Sequence, residues 1–314
     1  MTVLANTIQN VARVGVREDL SDKIGALFPD ETPFINAIGR SSATNTYVEW
    51  QTDALASASA SNASIQGDDL ANLSRANTVR VGNHTQILTK VVGSSTTVEW
   101  TSKAGRKSEL ARELMKAGRE LQTDIETRAV GNYASVAAAS GTAGLFGGAL
   151  AWLTTNTSKA GSDGGFSAGV VSAATNGTQR AYTEGLLKTV LQSIWVKGGN
   201  PKMVITNGTQ KQNEAAFVGL ADQRQMANGN MITIVAGADV YLSDFGRIQF
   251  VPDRFASTRD ALIVDPEYFD LAVGEPLTPF DLAQTGLATR KALRSELTLR
   301  CMNEAASGAI RDLS

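Results

Sequence analysis

Residues 44–97 constrain the fold more than any other part of the chain. Two strand-like runs flank a bland tip. The outgoing run is Thr44-Asn45-Thr46-Tyr47-Val48-Glu49-Trp50, and the return run is Asn77-Thr78-Val79-Arg80-Val81, continuing through Thr85-Gln86-Ile87-Leu88 to Val91-Val92. Apart from Leu55, small and polar residues fill positions 54–64, followed by Ile65-Gln66-Gly67-Asp68-Asp69. Strand-rich runs separated by small polar residues read as a hairpin, here far longer than a local turn. Connections this long within compact domains are uncommon and are usually functional or disordered. A two-stranded ribbon is only marginally stable alone in water. It needs another surface, which points to self-assembly more than to a solitary enzyme.

The chain has 314 residues, enough for a large core and about two domains. Its formal net charge of −2 gives no general affinity for nucleic acid or anionic membranes. Cys301 is the single cysteine, so no intrachain disulfide is expected. The first ten residues lack a basic region followed by an apolar one, so no signal peptide is expected. No apolar run reaches the roughly 18 residues of a transmembrane helix.

Residues 1–43 read as an extended arm. A short helix is expected within 11–28, broken by Pro29 and Pro33. Positions 34–39 read as helical or extended, ended by Gly39. The clearest helix spans 102–139, where Leu110, Leu114, Ala117, Leu121, Ile125 and Ala129 recur at helical spacing. Lys116 with Glu120, and Asp124 with Arg128, are four residues apart and placed to pair. At about 1.5 Å per residue this helix would span roughly 50 Å and act as a spine. Residues 140–182 read as a short helix and an irregular connection.

From Thr183 the pattern becomes α/β. A helix is expected at 184–196, stopped by Gly198-Gly199, and a buried strand at 202–206. Asn207 caps a helix at 209–220. Strands follow at 232–235, 239–242, 246–251 and 261–264, then a long alternating strand at 288–302. The tail, 304–313, reads as a short final helix.

Groups for chemistry are sparse. His84 is the only histidine, the usual base for a nucleophile, and reads as a polar residue on an exposed strand. Cys301 reads as a buried structural thiol. Asp260, Asp265, Glu267 and Asp270 read as turn and cap residues, and Asp68-Asp69 as solvated charge. Residues 144–148 are glycine-rich but lack the Gly-Lys-Ser/Thr of a phosphate loop. Asn207-Gly208-Thr209 opens a helix without a lysine or second glycine to hold an anion. The basic positions of the long helix are interspersed with acids and read as a solvated face. No catalytic, cofactor or metal residues are assigned.

The order of arm, hairpin, spine helix, α/β unit and returning strand resembles the HK97-fold capsid proteins of tailed phages. At motif level the chain is similar to the SU10-type major head protein family. The matching segments are residues 32–39 (Thr-Pro-Phe-Ile-Asn-Ala-Ile-Gly), 49–55 (Glu-Trp-Gln-Thr-Asp-Ala-Leu), 75–78, 83–87, 203–207, 240–246 and 296–299. The resemblance implies an α+β, HK97-like capsid fold. Its parts would be an N-terminal arm (1–43), an extended E-loop (44–97), a peripheral domain with the spine helix (98–180 and 274–314) and an axial α/β domain (181–273).

It further implies a major capsid protein whose hexamers and pentamers close into an icosahedral shell around phage double-stranded DNA, assembled in the host bacterial cytoplasm and resident in the virion. Implied partners are packaged DNA, a portal, decoration proteins and a separate scaffolding protein, the last because no long heptad segment precedes the ribbon. No membrane partner is implied. Candidate inter-subunit contacts are Trp50, Asp53, Leu55, Asp68, Asp69, Arg75 and Arg80. Two alternatives stay open: a nanocompartment shell of the same fold around protein cargo, and a soluble α/β enzyme or binding domain.

Overall fold

Two sheets and one long helix organise the chain. The computed structural model describes residues 27–67, 69, 77–217, 240–284 and 286–314. The first elements are α1 (Pro33–Ala37), β1 (Gly39–Ser42), the ribbon strands β2 (Tyr47–Thr52) and β3 (Val79–His84), then β4 (Gln86–Ser95), α2 (Thr96–Trp100) and α3 (Glu109–Val130). Next come α4 (Ala149–Trp152), β5 (Thr157–Ser158), β6 (Gly165–Ser167), β7 (Val170–Ser172), α5 (Glu184–Val196), β8 (Met203–Thr206) and α6 (Gly208–Glu214). The last are β9 (Val240–Ser243), β10 (Gly246–Pro252), β11 (Ala261–Val264), β12 (Phe269–Asp281), β13 (Ala288–Cys301) and β14 (Gly308–Ile310).

Alternation along β13 buries Leu293, Leu297 and Leu299 on the side facing α3. β13 pairs antiparallel with β12 and β4, and β1 completes a four-stranded sheet in the order β1-β12-β13-β4. The apolar stripe of α3, Ala117, Leu121, Ile125 and Ala129, is buried in the same core as Phe34 and Ile35 of α1.

The second unit is a six-stranded sheet in the order β5-β14-β11-β8-β10-β9. Every residue of β8 and β11 is buried, which explains their unbroken apolar runs. Helix α5 contributes Leu187, Val190, Leu191 and Ile194 to this unit's own core. Asn207 Oδ1 accepts the Thr209 amide and caps α6, as its position after a strand predicts.

Several expectations need correction. The spine helix has 22 residues, not the span 102–139, so it is about 33 Å long. Ser108 caps its start by accepting the Ala111 amide. Gly131 ends it, and there the chain is pressed against the segment before α4. A Cβ built on Gly148 would sit 2.1 Å from the Gly131 carbonyl, so the two backbones approach where no helix could continue. Neither expected helix pair forms: Lys116 pairs with Glu113 at 2.8 Å, and Asp124 with Lys90 of β4 at 3.0 Å. Arg128 instead donates to the Phe146 and Ala134 carbonyls.

Pro33 opens α1 at its first turn, where its missing N–H costs nothing. The tail is a 3₁₀ turn followed by β14, which pairs with β11 on one side and β5 on the other, where its small residues fit a fully buried position in the second sheet. Residues 157–158 and 308–310 therefore join the unit expected to hold only 181–273. The strand expected at 232–235, the end of the 209–220 helix and the 11–28 helix except its last two residues lie outside the described residues.

Candidate assembly site

The ribbon is fixed at its base, and residues 53–67 beyond it are exposed. Strands β2 and β3 pair from Tyr47↔His84 to Thr52↔Val79. Alternation puts Trp50 on the inward side, where it is buried. Its indole Nε1 donates to the Cys301 carbonyl at 2.8 Å, and its ring lies 5.3 Å from that of Trp152. Trp152 in turn stacks on Phe166 of β6 at 5.7 Å. Trp50 is thus a core anchor of its own subunit, which corrects its assignment as an inter-subunit contact.

Asn83 is the second anchor. It is fully buried, and asparagine is uncommon in strands. Its side-chain amide donates to the Leu299 carbonyl at 2.8 Å and the Gly147 carbonyl at 3.2 Å, while Oδ1 accepts the Gly147 amide at 2.9 Å. Thr85 Oγ1 donates to Glu296 Oε1 at 2.8 Å. Across the ribbon, the Tyr47 and His84 rings lie 4.6 Å apart. Only glycine fits at position 82, since a Cβ there would meet the Tyr47 ring at 2.6 Å.

His84 is partly buried, not the exposed residue expected, and burial pushes its imidazole below the usual range against a Gly169 backbone hydrogen bond. Cys301 is buried as expected, and burial holds its thiol well above the usual range, which makes it a poor nucleophile. Among the described residues, no group of three or more His, Cys, Asp or Glu side chains is placed to hold a metal ion.

Beyond Thr52 the ladder ends. Leu55 is fully exposed and Ile65 is 78% exposed. Asp53 Oδ1 accepts the Ala54 amide, and Asp69 is exposed. Arg80, with its side chain 69% exposed, forms a fork-to-fork pair with Glu49 of its own chain. Asp68 and Arg75 lie outside the described residues. Of the seven candidates, Asp53, Leu55, Asp69 and Arg80 are presented to solvent on the ribbon. Composition gave no sign of Asn83 as an anchor. The one available signal was a polar residue that strands disfavour, standing within β3 one position before its end.

A ribbon held at its base, a spine helix across one sheet and a separate α/β unit define the HK97-like capsid fold. Solved structures share it nearly end to end. The capsid asymmetric unit of cyanophage A-1(L) is similar with a TM-score of 0.66 and 13% identity, covering 98% of this chain and 99% of that one. The SrpI encapsulin complex from Synechococcus elongatus is similar with a TM-score of 0.58 and 9% identity, over 96% and 97% of the two chains. A curated major capsid protein of Escherichia phage Phieco32 is 39% identical over 112 residues, 36% of this chain and 32% of that protein. That match spans about a third of the relative's length. The family model described as SU10 major capsid protein matches residues 2–314, and the chain belongs to that family.

Proposed function

We propose that this chain is the major capsid protein of a phage, self-assembling as hexamers and pentamers into an icosahedral shell around double-stranded DNA. The observation that carries the reading is the ribbon. Its base is locked into the subunit by Trp50 and Asn83, whereas its tip presents Leu55 and Ile65 to solvent. Exposed apolar side chains on a two-stranded extension need a surface, and in a shell a neighbouring copy supplies it. The tip contacts would come from Asp53, Leu55, Asp68, Asp69, Arg75 and Arg80. The arm would add a second link between copies. The six-stranded unit is the axial domain near capsomer centres, and the four-stranded sheet with α3 is the peripheral domain.

A separate scaffolding protein guides assembly in the bacterial cytoplasm, and the finished shell carries a portal. A second reading, a nanocompartment around protein cargo, is favoured by the encapsulin likeness alone. Particles purified from infected cells and assayed for nucleic acid separate the two. Shells containing double-stranded DNA are expected, and shells holding only protein cargo would overturn the capsid reading. A small non-assembling protein at every concentration would overturn both.

A further inference from the structure

An apolar groove of about 240 Å³ lies between α1, α3 and the four-stranded sheet. Ile35 of α1, Leu121 and Ile125 of α3, Leu271 of β12 and Leu297 of β13 line it. The wall made by α1 is held in place. Thr32 makes no side-chain cap there, and the first free amides of the helix donate instead to the buried Glu126 carboxylate of α3, Phe34 at 2.7 Å and Ile35 at 2.9 Å. The groove is smaller than the roughly 300–1,000 Å³ of small-molecule sites and suits one or two side chains.

Arg40 of β1 is the one charged residue among the described residues lining the groove. It stands in register with Leu271 in the β1–β12 ladder, so its side chain leaves the sheet on the same face as that leucine. Arg40 is exposed and makes no ion pair with the described residues of its own subunit.

The ribbon tip has the complementary chemistry. From residue 53 to residue 69 it carries three acids, Asp53, Asp68 and Asp69, and no lysine or arginine. Leu55 is fully exposed. Asp53 and Leu55 are two residues apart, so along an extended chain they point to one side, about 7 Å from each other. Within the subunit the two surfaces do not meet, since Leu55 is open to solvent and the ribbon base is locked by Trp50.

We propose that the groove of one copy receives the ribbon tip of a second copy, with Leu55 seated between α1 and α3 and Asp53 paired with Arg40. The proposal rests on the reading of the ribbon as the link between copies and adds the surface that receives it. Burial of Leu55 supplies attraction, and the guanidinium–carboxylate pair fixes the register. Different patches meet on the two copies, so the contact is of the head-to-tail kind that generates rings.

Charge exchange in the full chain tests it, with shell formation followed by sedimentation and electron microscopy. Asp53→Arg and Arg40→Asp each set like charges together and should raise the protein concentration needed for shells by at least about tenfold. The double variant restores opposite charges and should assemble within about threefold of the wild-type concentration. Single variants that assemble like wild type, or a double variant no better than the singles, would overturn the groove assignment and leave the ribbon reading standing. That reading fails separately, if removal of residues 56–74 still yields shells. Should a reversal variant not fold, Arg40→Gln and Asp53→Asn decide in its place. Each should weaken assembly, and together they should weaken it no more than either alone; additive losses would overturn the pairing.

Discussion

The indole of Trp50 donates a hydrogen bond to the backbone carbonyl of Cys301, 251 residues later in the chain, at 2.8 Å. This one contact ties the base of the ribbon to the end of the longest strand. The ribbon's direction is thereby set by the core of its own subunit, and only the part beyond Thr52 is left to find a partner.

Removing the anchor should loosen the whole subunit. Trp50→Phe keeps most of the ring but strands the buried Cys301 carbonyl, a loss of about 1–3 kcal/mol. Trp50→Ala adds a cavity beside Trp152 and should lose about 3–5 kcal/mol. Urea denaturation of the unassembled subunit reads both, and equal stability of all three proteins would contradict the anchor role.

Asn83→Leu tests the second anchor. The substitution keeps the branched shape at Cγ but leaves the Gly147 amide and the Leu299 carbonyl without their partner. A loss of at least about 2 kcal/mol is expected in the same denaturation measurement. Faster proteolysis within the ribbon base should accompany it.

Much of this architecture is legible in the sequence. Residues 184–196, 261–264 and 288–302 declare themselves by apolar period or unbroken apolar runs, and the structure places a helix and two strands there, the last ending at Cys301. The spine helix reads too long because Ala134, Ala137, Ala138 and Ala139 continue a helix-compatible composition past Gly131. What stops it is a close backbone approach from Gly148, a tertiary fact. The tail misleads for the same reason. Its Ala-rich run suits a helix, yet Ala309 and Ile310 are completely buried beside β11, and burial outweighs propensity. Side-chain pairing was the least legible. Asp124 meets Lys90 through the packing of α3 on β4, which no spacing along one helix reveals. Asn83 and Glu126 were missed because their partners are backbone groups distant in sequence.

Stability should fall with rising pH through one buried acid. Glu214 of α6 is raised to about 7 by burial, against the lowering effect of Lys211. The folded state then binds more protons than the unfolded chain between about 4.3 and 7, so stability declines as pH rises through that window and is level above it. The decline amounts to roughly 4 kcal/mol. Glu214→Gln should remove this contribution from the pH profile. An unchanged pH profile in the variant would contradict the assignment.

The shell should be held without covalent links between copies. No lysine lies between residues 51 and 89, and Lys90 is engaged by Asp124 at the base. Arginine stays protonated and cannot replace lysine as the nucleophile of an isopeptide link between copies. Boiled, reduced particles should give one band near 33.1 kDa on a denaturing gel. A ladder of oligomers would contradict this.

The bridging role of the ribbon tip is tested most directly by deleting residues 56–74 and imaging the purified product by electron microscopy. The anchors at Trp50 and Asn83 lie outside the deletion, so the subunit should fold, with a cooperative denaturation transition, and remain unassembled. The full chain under the same conditions should form closed shells. Closed shells of normal size from the deleted protein would contradict a ribbon that joins one copy to the next.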